Sequence, residues 1–561
     1  MTASLYEVPQ SPCPVDLQLD GNEGSLPPED LFAGLAPEQC LRRYPSDRAL
    51  RMQLADRFGV GEDQVAVTAG GDDALDRIVR LRAEPGANVV LPEPTFVMLR
   101  RYAAEVGAEI RSVAWCGGQF PVAAVAAAVD VRTSLVFVVS PNNPTGAVVT
   151  GAQLRAVSAS APDALVVVDL AYAEFADEDL TAVALELPNA IVVRTFSKAW
   201  GMAGCRVGFA IGPAERIVAL RALGPPYPVS GLSLELVRRR LEQESEVRAF
   251  VRKVRAERGQ LVTALRDCDV ACEDGQGNFV LARSPRATFV RAALASFGIA
   301  VRGFGGGDHE SLADAVRITC PGDDAAFHRL LTALQTALAP QAVLFDMDGV
   351  LADVRRSYRR AILETAASFG VEVTPDDVAA IKLRGQANDD WAVTQNLLAA
   401  RDVQVSLEVV RERFEEIYQG DGSSAGLYLD EPLLLAKATL QSWSKRLPLA
   451  VVTGRPRADA QRFLEMHDLQ ECFSAVIVRE DAALKPSPEP VRLAMQRLQV
   501  ERAWMVGDTP DDVIAGRSAA ALAIGCLPPG EPPLGGLRQS LHRAGAGIVL
   551  NQIDELRELL P

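Results

Sequence analysis

Short apolar runs rich in β-branched residues alternate with helical patterns along this chain, and the alternation occurs in two separate series. The first series covers residues 65–68, 88–91, 135–139, 165–169, 191–194 and 207–211. The second covers residues 342–346, 449–453, 475–478, 503–507 and 522–525. Strands that are apolar throughout and separated by helices are typical of a largely parallel sheet covered by helices. The pattern therefore predicts an α/β protein with two such sheets.

The length of the chain also requires more than one hydrophobic core. At 561 residues it exceeds what a single core usually supports. The alternation restarts near Ala339-Pro340, so the predicted domains are residues 1–340 and 341–561. Between the first two strands of the second series, a long insert at about 357–440 reads as helices only. We expect this insert to form a helical cap over a site on the second domain.

The composition excludes several classes of protein. A formal net charge of −16 argues against nucleic-acid binding, which needs a basic face. Nine cysteines without a CxxC pair fit reduced thiols better than a disulfide framework, and residues 1–14 lack the pattern of a signal peptide. No apolar stretch is long enough to span a bilayer. We therefore expect a cytoplasmic enzyme without a nucleic-acid or membrane partner.

The first candidate site centres on Lys198, which follows a strand of the first series. Thr195, Ser197 and Arg206 lie three residues before, one before and eight after this lysine. Two hydroxyls and a guanidinium at this spacing can hold a phosphate monoester beside the lysine. A second phosphate contact is offered at residues 68–73, where a strand runs through glycines into a helix, because helix N-termini attract anions.

Further polar residues follow neighbouring strands of the first series. Asp169 ends the strand 165–169 and can keep the ring nitrogen of a pyridine cofactor protonated. Tyr172 follows three residues later and Asn143 follows the strand 135–139, so both can contact a ring hydroxyl. A lysine such as Lys198 can form a Schiff base with an aldehyde cofactor, although a single lysine after a strand proves nothing by itself.

Nearly all of residues 15–340 resemble the fold-type I aminotransferases that depend on pyridoxal phosphate, most closely their histidinol-phosphate aminotransferase branch. The resemblance implies a large α/β domain with a small domain, and Lys198 as the catalytic Schiff-base residue and proton shuttle. It also implies a homodimer, because Tyr44 matches a position that reaches the cofactor phosphate of the other subunit. The cofactor-binding residues that it implies are Tyr44, Gly71, Asp72, Phe96, Asn143, Asp169, Tyr172, Thr195, Ser197, Lys198 and Arg206.

The same resemblance implies substrate contacts. Arg302 and Arg317 are expected to bind the amino-donor carboxylate and the phosphate of the keto substrate, and Asn22 lies in a segment that resembles the family's substrate cover. Three positions depart from the family pattern. Phe96 replaces a tyrosine and Leu170 replaces a frequent acid, and both changes leave transamination intact. Gly24 replaces an aromatic residue that touches the substrate in the family, and this change favours a different substrate.

The second candidate site centres on Asp346 and Asp348, at the end of the apolar strand 342–346. Two carboxylates this close repel each other unless they bind a cation. Because no histidine is nearby, an ion that prefers oxygen ligands is expected, namely Mg²⁺. A hydroxyl, an ammonium and further carboxylates follow at later positions, as phosphoryl transfer to a carboxylate requires. These residues are Thr453, Lys485, Asp508 and Asp512. An Asp-x-Asp turn without function would account only for the first pair.

From Ala342 to the C-terminus the chain resembles the haloacid dehalogenase superfamily, specifically phosphatase-like members in which a helical cap follows the first strand of a Rossmann-like domain. The resemblance implies that Asp346 attacks phosphorus and that Asp348 acts as acid and then as base. It implies Mg²⁺ bound by Asp346, the backbone of Asp348 and Asp508, with the phosphoryl oxygens held by Thr453 and Lys485.

Two assignments in this half stay open. Asp512 supports either the metal or Lys485. In the cap, the polar stretch 385–391 either faces the site or begins a helix that is capped by Asn388 or Asp389, and the second interpretation is favoured.

Both halves are predicted to handle phosphate monoesters, which suggests consecutive reactions. In the leading hypothesis imidazole acetol phosphate accepts an amino group from glutamate, and the second domain hydrolyses the resulting histidinol phosphate to histidinol, two adjacent steps of histidine synthesis. An alternative keeps both reactions on another phosphorylated ketone or amino alcohol. A third hypothesis treats the C-terminal domain as a regulatory module without turnover, and the intact set of acid, hydroxyl and lysine argues against it.

Overall fold

The computed structural model describes residues 10–305, 309–382, 389–420 and 425–560. Over these residues the strands are, in chain order, β1 Leu17–Leu19, β2 Val65–Thr68, β3 Asn88–Glu93, β4 Glu109–Ala114, β5 Thr133–Val139, β6 Leu165–Asp169, β7 Ala190–Thr195, β8 Gly208–Ile211, β9 Ala271–Cys272, β10 Phe279–Arg283, β11 Ile299–Gly303, β12 Ala315–Thr319, β13 Ala342–Phe345, β14 Leu449–Val452, β15 Ala475–Ile477, β16 Ala503–Gly507, β17 Leu522–Cys526 and β18 Ile548–Leu550.

The α-helices of the described residues are α1 Arg48–Phe58, α2 Gly71–Arg82, α3 Val97–Glu105, α4 Val122–Ala128, α5 Gly151–Ser160, α6 Thr181–Leu185, α7 Ala214–Leu223, α8 Gly231–Glu242, α9 Glu244–Arg266, α10 Ala287–Ser296, α11 Asp324–Leu338, α12 Tyr358–Ser368, α13 Pro375–Lys382, α14 Asp390–Ala399, α15 Leu407–Gln419, α16 Lys437–Ser444, α17 Arg457–Met466, α18 Glu489–Leu498, α19 Pro510–Ser518 and α20 Gly536–Ala544.

The chain forms two compact units. The first unit comprises Leu19–Ala287 and Val301–Arg329, and the second comprises Met1–Gln18, Thr288–Ala300 and Leu330–Pro561.

A seven-stranded sheet organises the first unit, in the order β2-β8-β7-β6-β5-β3-β4. Its strands are parallel except β8, which runs antiparallel to both β2 and β7. One apolar cluster packs on each face of this sheet, because strands such as β6 are buried along their whole length. The largely parallel sheet predicted from the alternation is confirmed.

The edge strand β4 was not predicted from the sequence. Its residues Glu109, Arg111 and Ser112 are polar, and only Val113 of the six is buried. An edge strand has solvent on one side and can carry polar residues, so it lacks the apolar run that marks the central strands.

A smaller sheet has the order β1-β11-β12-β10-β9. Strand β12 runs antiparallel to both β10 and β11, and the pairing places Arg302 directly opposite Arg317. The two arginines that were predicted from separate motifs are therefore cross-strand neighbours.

A six-stranded parallel sheet organises the second unit, in the order β15-β14-β13-β16-β17-β18. From the central strand β13 the chain continues first to β14 on one side and later to β16 on the other. In open α/β sheets such a reversal leaves a crevice at the carboxyl ends of the strands. Asp346 directly follows β13 and Asp508 directly follows β16, so both lie at this crevice.

Between β13 and β14 the described residues form helices α12 to α16. The two connections that link this helical insert to the sheet lie side by side, because Ala352 forms an isolated bridge with Leu433. The backbone N–H of Leu434 also donates to the carbonyl of Leu351 at 2.8 Å.

The second unit also includes Thr288–Ser296 of α10 and Leu330–Leu338 of α11, which precede residue 340. The fully buried Trp504 of β16 donates from Nε1 to the carbonyl of Thr336 in α11 at 2.8 Å, and its ring lies 5.5 Å from that of Phe289 in α10. These helices therefore share a core with the second sheet, while residue 340 stays the predicted boundary between the sequence domains.

Among the helices of the described residues, none is both long enough and apolar enough to cross a bilayer.

Candidate active sites

Lys198 lies in the loop that follows β7, and the preceding residues of that loop are buried. Thr195 Oγ1 donates to Ser197 Oγ at 2.9 Å and accepts from the Ser197 backbone N–H at 3.2 Å. The chain then turns at Gly201, whose N–H donates to the carbonyl of Lys198 at 3.0 Å and whose φ is +71°. The two predicted hydroxyls therefore lie together, next to the lysine.

The predicted phosphate contacts converge at the N-terminus of α2. This helix begins at Gly71 after Gly70, and Arg206 reaches the same place and pairs with Asp72 at 3.0 Å. A Cβ atom on Gly70 would lie 2.8 Å from Arg206 Nη2, so only glycine lets the guanidinium approach this closely. A helix N-terminus with an arginine beside it fits a phosphate monoester.

Asp169 ends β6 and is buried, with the Ala171 backbone N–H donating to Oδ1 at 3.0 Å. Burial raises the pKa of Asp169 to about 7, and the negative charge of Asp72 contributes to this rise. The hydrogen bond from Ala171 and the positive charge of Lys198 lower the pKa but do not cancel the effect of burial. The carboxylate forms no ion pair with any described residue. A cationic ring nitrogen beside it would therefore favour the ionised form, which burial disfavours. The site thus fits the pyridine cofactor predicted from the sequence.

Asn22 and Tyr172 form a buried polar cluster in the same unit. Asn22 Nδ2 donates to the Tyr172 hydroxyl at 3.0 Å, and Thr319 Oγ1 donates to Asn22 Oδ1 at 2.8 Å. Asn278 Nδ2 donates to the Asn22 carbonyl at 3.1 Å. Sequence reasoning missed Thr319 and Asn278, which have no motif of their own and are recognised only by the contacts that hold Asn22.

Arg317 and Asn143 meet as well, because Arg317 Nη1 donates to Asn143 Oδ1 at 2.6 Å and Nη2 donates to the carbonyl of Asp20. On the neighbouring strand, the Arg302 guanidinium lies 5.9 Å from the centre of the Phe304 ring. Both arginines are at most 9% exposed. Two nearly buried cations on adjacent strands have the chemistry of anion-binding groups.

The segment 20–25 lies directly against the lysine loop. Lys198 Nζ donates to the carbonyl of Gly21 at 3.0 Å, and the ammonium lies 5.7 Å from the Tyr172 ring centre. A Cβ on Gly24 would lie 2.0 Å from the Lys198 carbonyl oxygen, and one on Gly201 would lie 2.0 Å from that of Ser25. The glycine at position 24 therefore has a local cause, since the two backbones approach too closely for any side chain.

Two predicted cofactor residues lie apart from these contacts. Tyr44 is 82% exposed and stacks on Tyr227 with ring centres 4.8 Å apart, so its predicted role toward a second subunit stays a prediction. Phe96 precedes α3 and is partly buried against the apolar core on one face of the seven-stranded sheet. Its predicted stacking on a cofactor ring likewise stays a prediction.

The second site gathers charged groups at the sheet crevice. Lys485 Nζ donates to Asp346 Oδ1 at 2.6 Å, pairs with Asp512 Oδ1 at 2.5 Å and donates to the carbonyl of Val452 at 3.1 Å. Burial by itself would lower the pKa of Lys485, but the two carboxylates raise it above its ordinary value. Burial raises the pKa of Asp346, and the Lys485 charge opposes that rise.

Asp346, Asp508 and Asp512 each offer a carboxylate oxygen, and these oxygens lie within 4.8 Å of one another. Gly349 approaches so closely that a Cβ there would lie 2.2 Å from Asp508 Oδ2. Buried carboxylates in a cluster fit an oxygen-ligated cation such as Mg²⁺. Asp512 therefore lies in the same carboxylate cluster and also pairs with Lys485, so both roles predicted for it remain open, and metal binding by Asp346, Asp508 and the Asp348 backbone stays a prediction.

The orientation of Asp512 is set by the start of α19. Thr509 caps this helix, and both its N–H at 3.0 Å and its hydroxyl at 2.6 Å donate to Asp512 Oδ2. The other oxygen, Oδ1, faces Lys485. Thr453 follows β14 and is buried, with its Oγ1 accepting from the Arg455 backbone N–H at 3.2 Å.

Sequence reasoning missed Arg455, two residues after Thr453. Its Nε donates to Asp348 Oδ1 at 2.7 Å, and its Nη1 donates to Glu431 Oε2 at 2.8 Å. The Arg455 and Glu431 side chains are each 1% exposed. The available signal was an arginine two residues after a predicted strand that ends in a predicted phosphate-binding hydroxyl.

The favoured interpretation of the polar cap stretch holds at Asp389. This residue caps α14 by accepting from the backbone N–H groups of Trp391 and Ala392 at 3.1 and 3.3 Å. Asn388 lies outside the described residues. The Arg479 guanidinium pairs with Asp389 at 3.2 Å and lies 4.2 Å from the Trp391 ring centre.

Two family models match this chain in succession. Residues 38–334 match that of the class I and II aminotransferases, and residues 340–520 match that of the haloacid dehalogenase-like hydrolases.

Three curated relatives illustrate the similarity. Histidinol-phosphate aminotransferase 1 of Nostoc sp. is 30% identical over 329 residues, covering 57% of this chain and 91% of the relative. The aromatic amino acid aminotransferase of Mycobacteroides abscessus is 34% identical over 325 residues, covering 56% of this chain and 92% of the relative. The imidazoleglycerol-phosphate dehydratase of Phytophthora nicotianae is 45% identical over 237 residues, covering 39% of this chain and 52% of the relative. The match therefore spans about half the length of this last relative.

Proposed function

Because this chain belongs to the class I and II aminotransferase family and carries a haloacid dehalogenase-like hydrolase domain, we propose that it performs two consecutive reactions on one phosphate ester. The first site transfers an amino group from glutamate to imidazole acetol phosphate and yields histidinol phosphate. The second site hydrolyses this ester to histidinol and phosphate. The observation that carries the proposal is that one chain holds two clusters of the groups that handling a phosphate ester needs, one around Lys198 and the other around Asp346.

The names of the relatives support the choice of substrate. One is a histidinol-phosphate aminotransferase and another an imidazoleglycerol-phosphate dehydratase, so both names denote a phosphate ester that carries an imidazole ring. The aromatic amino acid aminotransferase among the relatives makes aromatic keto acids the necessary comparison substrates.

At the first site the residues divide into four roles. The N-terminus of α2 with Arg206 binds a phosphate, and the carboxylate of Asp169 holds the ring nitrogen protonated. When bound, pyridoxal phosphate supplies an electron sink for the bond that breaks at the amino-bearing carbon. Lys198 Nζ then moves the proton at that carbon, and the cations Arg302 and Arg317 hold the anionic ends of the substrate.

At the second site Asp346 is the nucleophile. A carboxylate oxygen of Asp346 forms a bond to phosphorus while the bond from phosphorus to the alcohol oxygen breaks, and Asp348 gives that oxygen a proton. Water then attacks phosphorus, Asp348 takes the proton from the water, and the bond to Asp346 breaks. Lys485 and Thr453 hold the phosphoryl oxygens, and Mg²⁺ held by Asp346, Asp508 and Asp512 would neutralise the charge on the phosphate.

The remaining assignments belong to the same proposal. We place the enzyme in the cytoplasm as a homodimer, in which the exposed Tyr44 reaches the cofactor phosphate of the second subunit. In the alternative, both reactions act on another phosphorylated ketone and its amino alcohol; Gly24 pointed to it from the sequence, but the close approach to the Lys198 carbonyl also accounts for that glycine.

The test is a coupled assay with purified protein, pyridoxal phosphate, Mg²⁺, glutamate and imidazole acetol phosphate. We expect 2-oxoglutarate and inorganic phosphate to form together. Lys198→Ala should abolish both products from the ketone but retain phosphate release from added histidinol phosphate. Asp346→Asn should retain 2-oxoglutarate formation and lose phosphate release.

Three outcomes would contradict parts of the proposal. Equal rates with histidinol phosphate and a generic aryl phosphate would favour the alternative substrate. A preference for aromatic keto acids over imidazole acetol phosphate would remove the first reaction from histidine synthesis. Phosphate release by Asp346→Asn at the wild-type rate would revive the regulatory-module hypothesis for the second domain.

A further inference from the structure

We propose that Arg455 is the positioning residue for Asp348, fixing one carboxylate oxygen so that the other faces the leaving group of the substrate. The inference rests on the proposed phosphatase function of the second domain. It concerns a contact that sequence motifs did not reveal.

Two nitrogens of Arg455 lie close to Asp348, and both approach the same oxygen. Nε donates to Oδ1 at 2.7 Å, and Nη2 lies 2.6 Å from the same atom. Oδ2 accepts no hydrogen bond from the described residues. The Asp348 side chain is 26% exposed, whereas that of Arg455 is 1% exposed. The carboxylate is therefore held from the buried side and presents Oδ2 to the open side.

The guanidinium itself is fixed on several sides. Nη1 donates to Glu431 Oε2 at 2.8 Å, and the Glu431 side chain also accepts from the Tyr418 hydroxyl at 3.1 Å. The ring centres of Tyr358 and Phe463 lie 4.7 and 5.4 Å from the Arg455 guanidinium carbon. A guanidinium held between carboxylates and aromatic faces has little freedom to turn, so it can impose one orientation on Asp348.

The partner Glu431 is in turn fixed to the loop that carries Asp348. The next residue, Pro432, accepts from the Asp353 backbone N–H at 3.0 Å, and Leu433 bridges to Ala352. Ala352 is also bridged to Asp348 itself. Arg455 therefore acts within a closed set of contacts, in which a displaced guanidinium would release Asp348 without moving the nucleophile Asp346.

This role predicts a dependence on the leaving group. An alkyl alcohol is a poor leaving group and needs the proton that Asp348 donates, whereas 4-nitrophenolate leaves without it. Misplacing a general acid costs on the order of 10²-fold or more in rate when the proton is needed. The later attack of water also uses Asp348 and is the same for every ester, but kcat/KM reports only the steps through release of the alcohol. Loss of Arg455 should therefore lower kcat/KM for alkyl phosphates far more than kcat/KM for 4-nitrophenyl phosphate.

The experiment compares Arg455→Lys with wild type on two substrate types, histidinol phosphate or phosphoethanolamine as the alkyl ester and 4-nitrophenyl phosphate as the aryl ester. Lysine keeps the buried charge but cannot make both contacts, which limits the risk of unfolding. We expect kcat/KM for the alkyl ester to fall on the order of 10²-fold and kcat/KM for the aryl ester to fall less than about threefold. The ratio of the two rates does not depend on the folded fraction of the preparation.

Three further variants complete the design: Arg457→Lys, Asp348→Asn and the double variant. Arg457→Lys is the matched control, because Arg457 is 46% exposed and pairs with Asp481 on the surface, so both rates should stay close to wild type. Combining Arg455→Lys with Asp348→Asn should slow alkyl ester hydrolysis no more than Asp348→Asn alone, because both changes remove the same proton transfer.

Two results would overturn the role of Arg455. One is an equal fall of kcat/KM on both esters, which would place Arg455 on the phosphoryl group instead of on the proton donor. The other is additive effects in the double variant. A wild-type protein that hydrolyses neither ester would instead refute the proposed phosphatase. A wild type active on phosphoethanolamine but not on histidinol phosphate would refute only the proposed substrate, and the comparison would proceed on phosphoethanolamine.

Discussion

Replacing Asp169 by asparagine should change how the stability of the cofactor-free protein depends on pH. Asp169 is buried at the end of β6, and burial raises its pKa to about 7. A carboxyl with a raised pKa in the folded protein keeps its proton where the unfolded chain has already released it. Its contribution therefore reduces stability as the pH rises from about 4 to about 7.

The size of the effect follows from the same two pKa values. The difference between about 7 and the ordinary value of 3.8 corresponds to about 4 kcal/mol of lost stability once the pH exceeds both. Part of this loss has already occurred at pH 5, so about 3 kcal/mol remains between pH 5 and pH 8. Asparagine does not titrate, and Asp169→Asn should remove this contribution.

The assay is urea unfolding of cofactor-free wild type and Asp169→Asn at several pH values, followed by circular dichroism. The difference between the two proteins cancels the titration of all other groups. We expect the variant to gain about 3 kcal/mol over wild type from pH 5 to pH 8. A difference that stays constant over this range would refute the reasoning, because Asp169 would then be ionised throughout. Saturating wild type with pyridoxal phosphate should remove most of this pH dependence, since a cationic ring nitrogen keeps the carboxyl ionised.

Three other substitutions test separate parts of the structure. Gly24→Ala places a Cβ 2.0 Å from the Lys198 carbonyl oxygen, so it should lower the free energy of unfolding by about 1–3 kcal/mol and weaken pyridoxal phosphate binding in an absorbance titration. An unchanged affinity would contradict the observed approach of the two backbones. Asp512→Asn should raise the Mg²⁺ concentration needed for half-maximal phosphate release by about 10–100-fold, and an unchanged requirement would remove Asp512 from the metal site. Trp504→Ala should lower the free energy of unfolding of the second unit by about 3–5 kcal/mol, measured by thermal unfolding. A loss below about 1 kcal/mol would argue against a core that Trp504 shares with α10 and α11.

The central strands and the residues that follow them could be predicted from the sequence alone. Strands such as β6 and β13 are buried on both faces, so their continuous apolar runs are a local signal that needs no knowledge of neighbours. Because catalytic groups of α/β folds lie where such strands end, Asp169 and Asp346 were identified together with their strands. Strand β18, with three residues and only Leu550 buried, gave too short a signal to be predicted.

The contacts that orient these groups could not be predicted in the same way. Asn22 meets Tyr172 and Thr319 across 150 and 297 residues, and Arg455 meets Asp348 across 107 residues. A hydrogen bond between distant residues leaves no periodic pattern in either segment. The glycine at position 24, which looked like a change of substrate specificity, is also explained by a backbone approach that only the folded chain contains.

The sequence by itself therefore determined which chemical groups are present and that they lie at strand ends, because strand formation and burial depend on the local order of residue types. Only the tertiary structure decided that Arg455 holds Asp348 and that Asp512 joins Asp346 and Asp508, because these arrangements depend on where distant strands are placed by the sheet order.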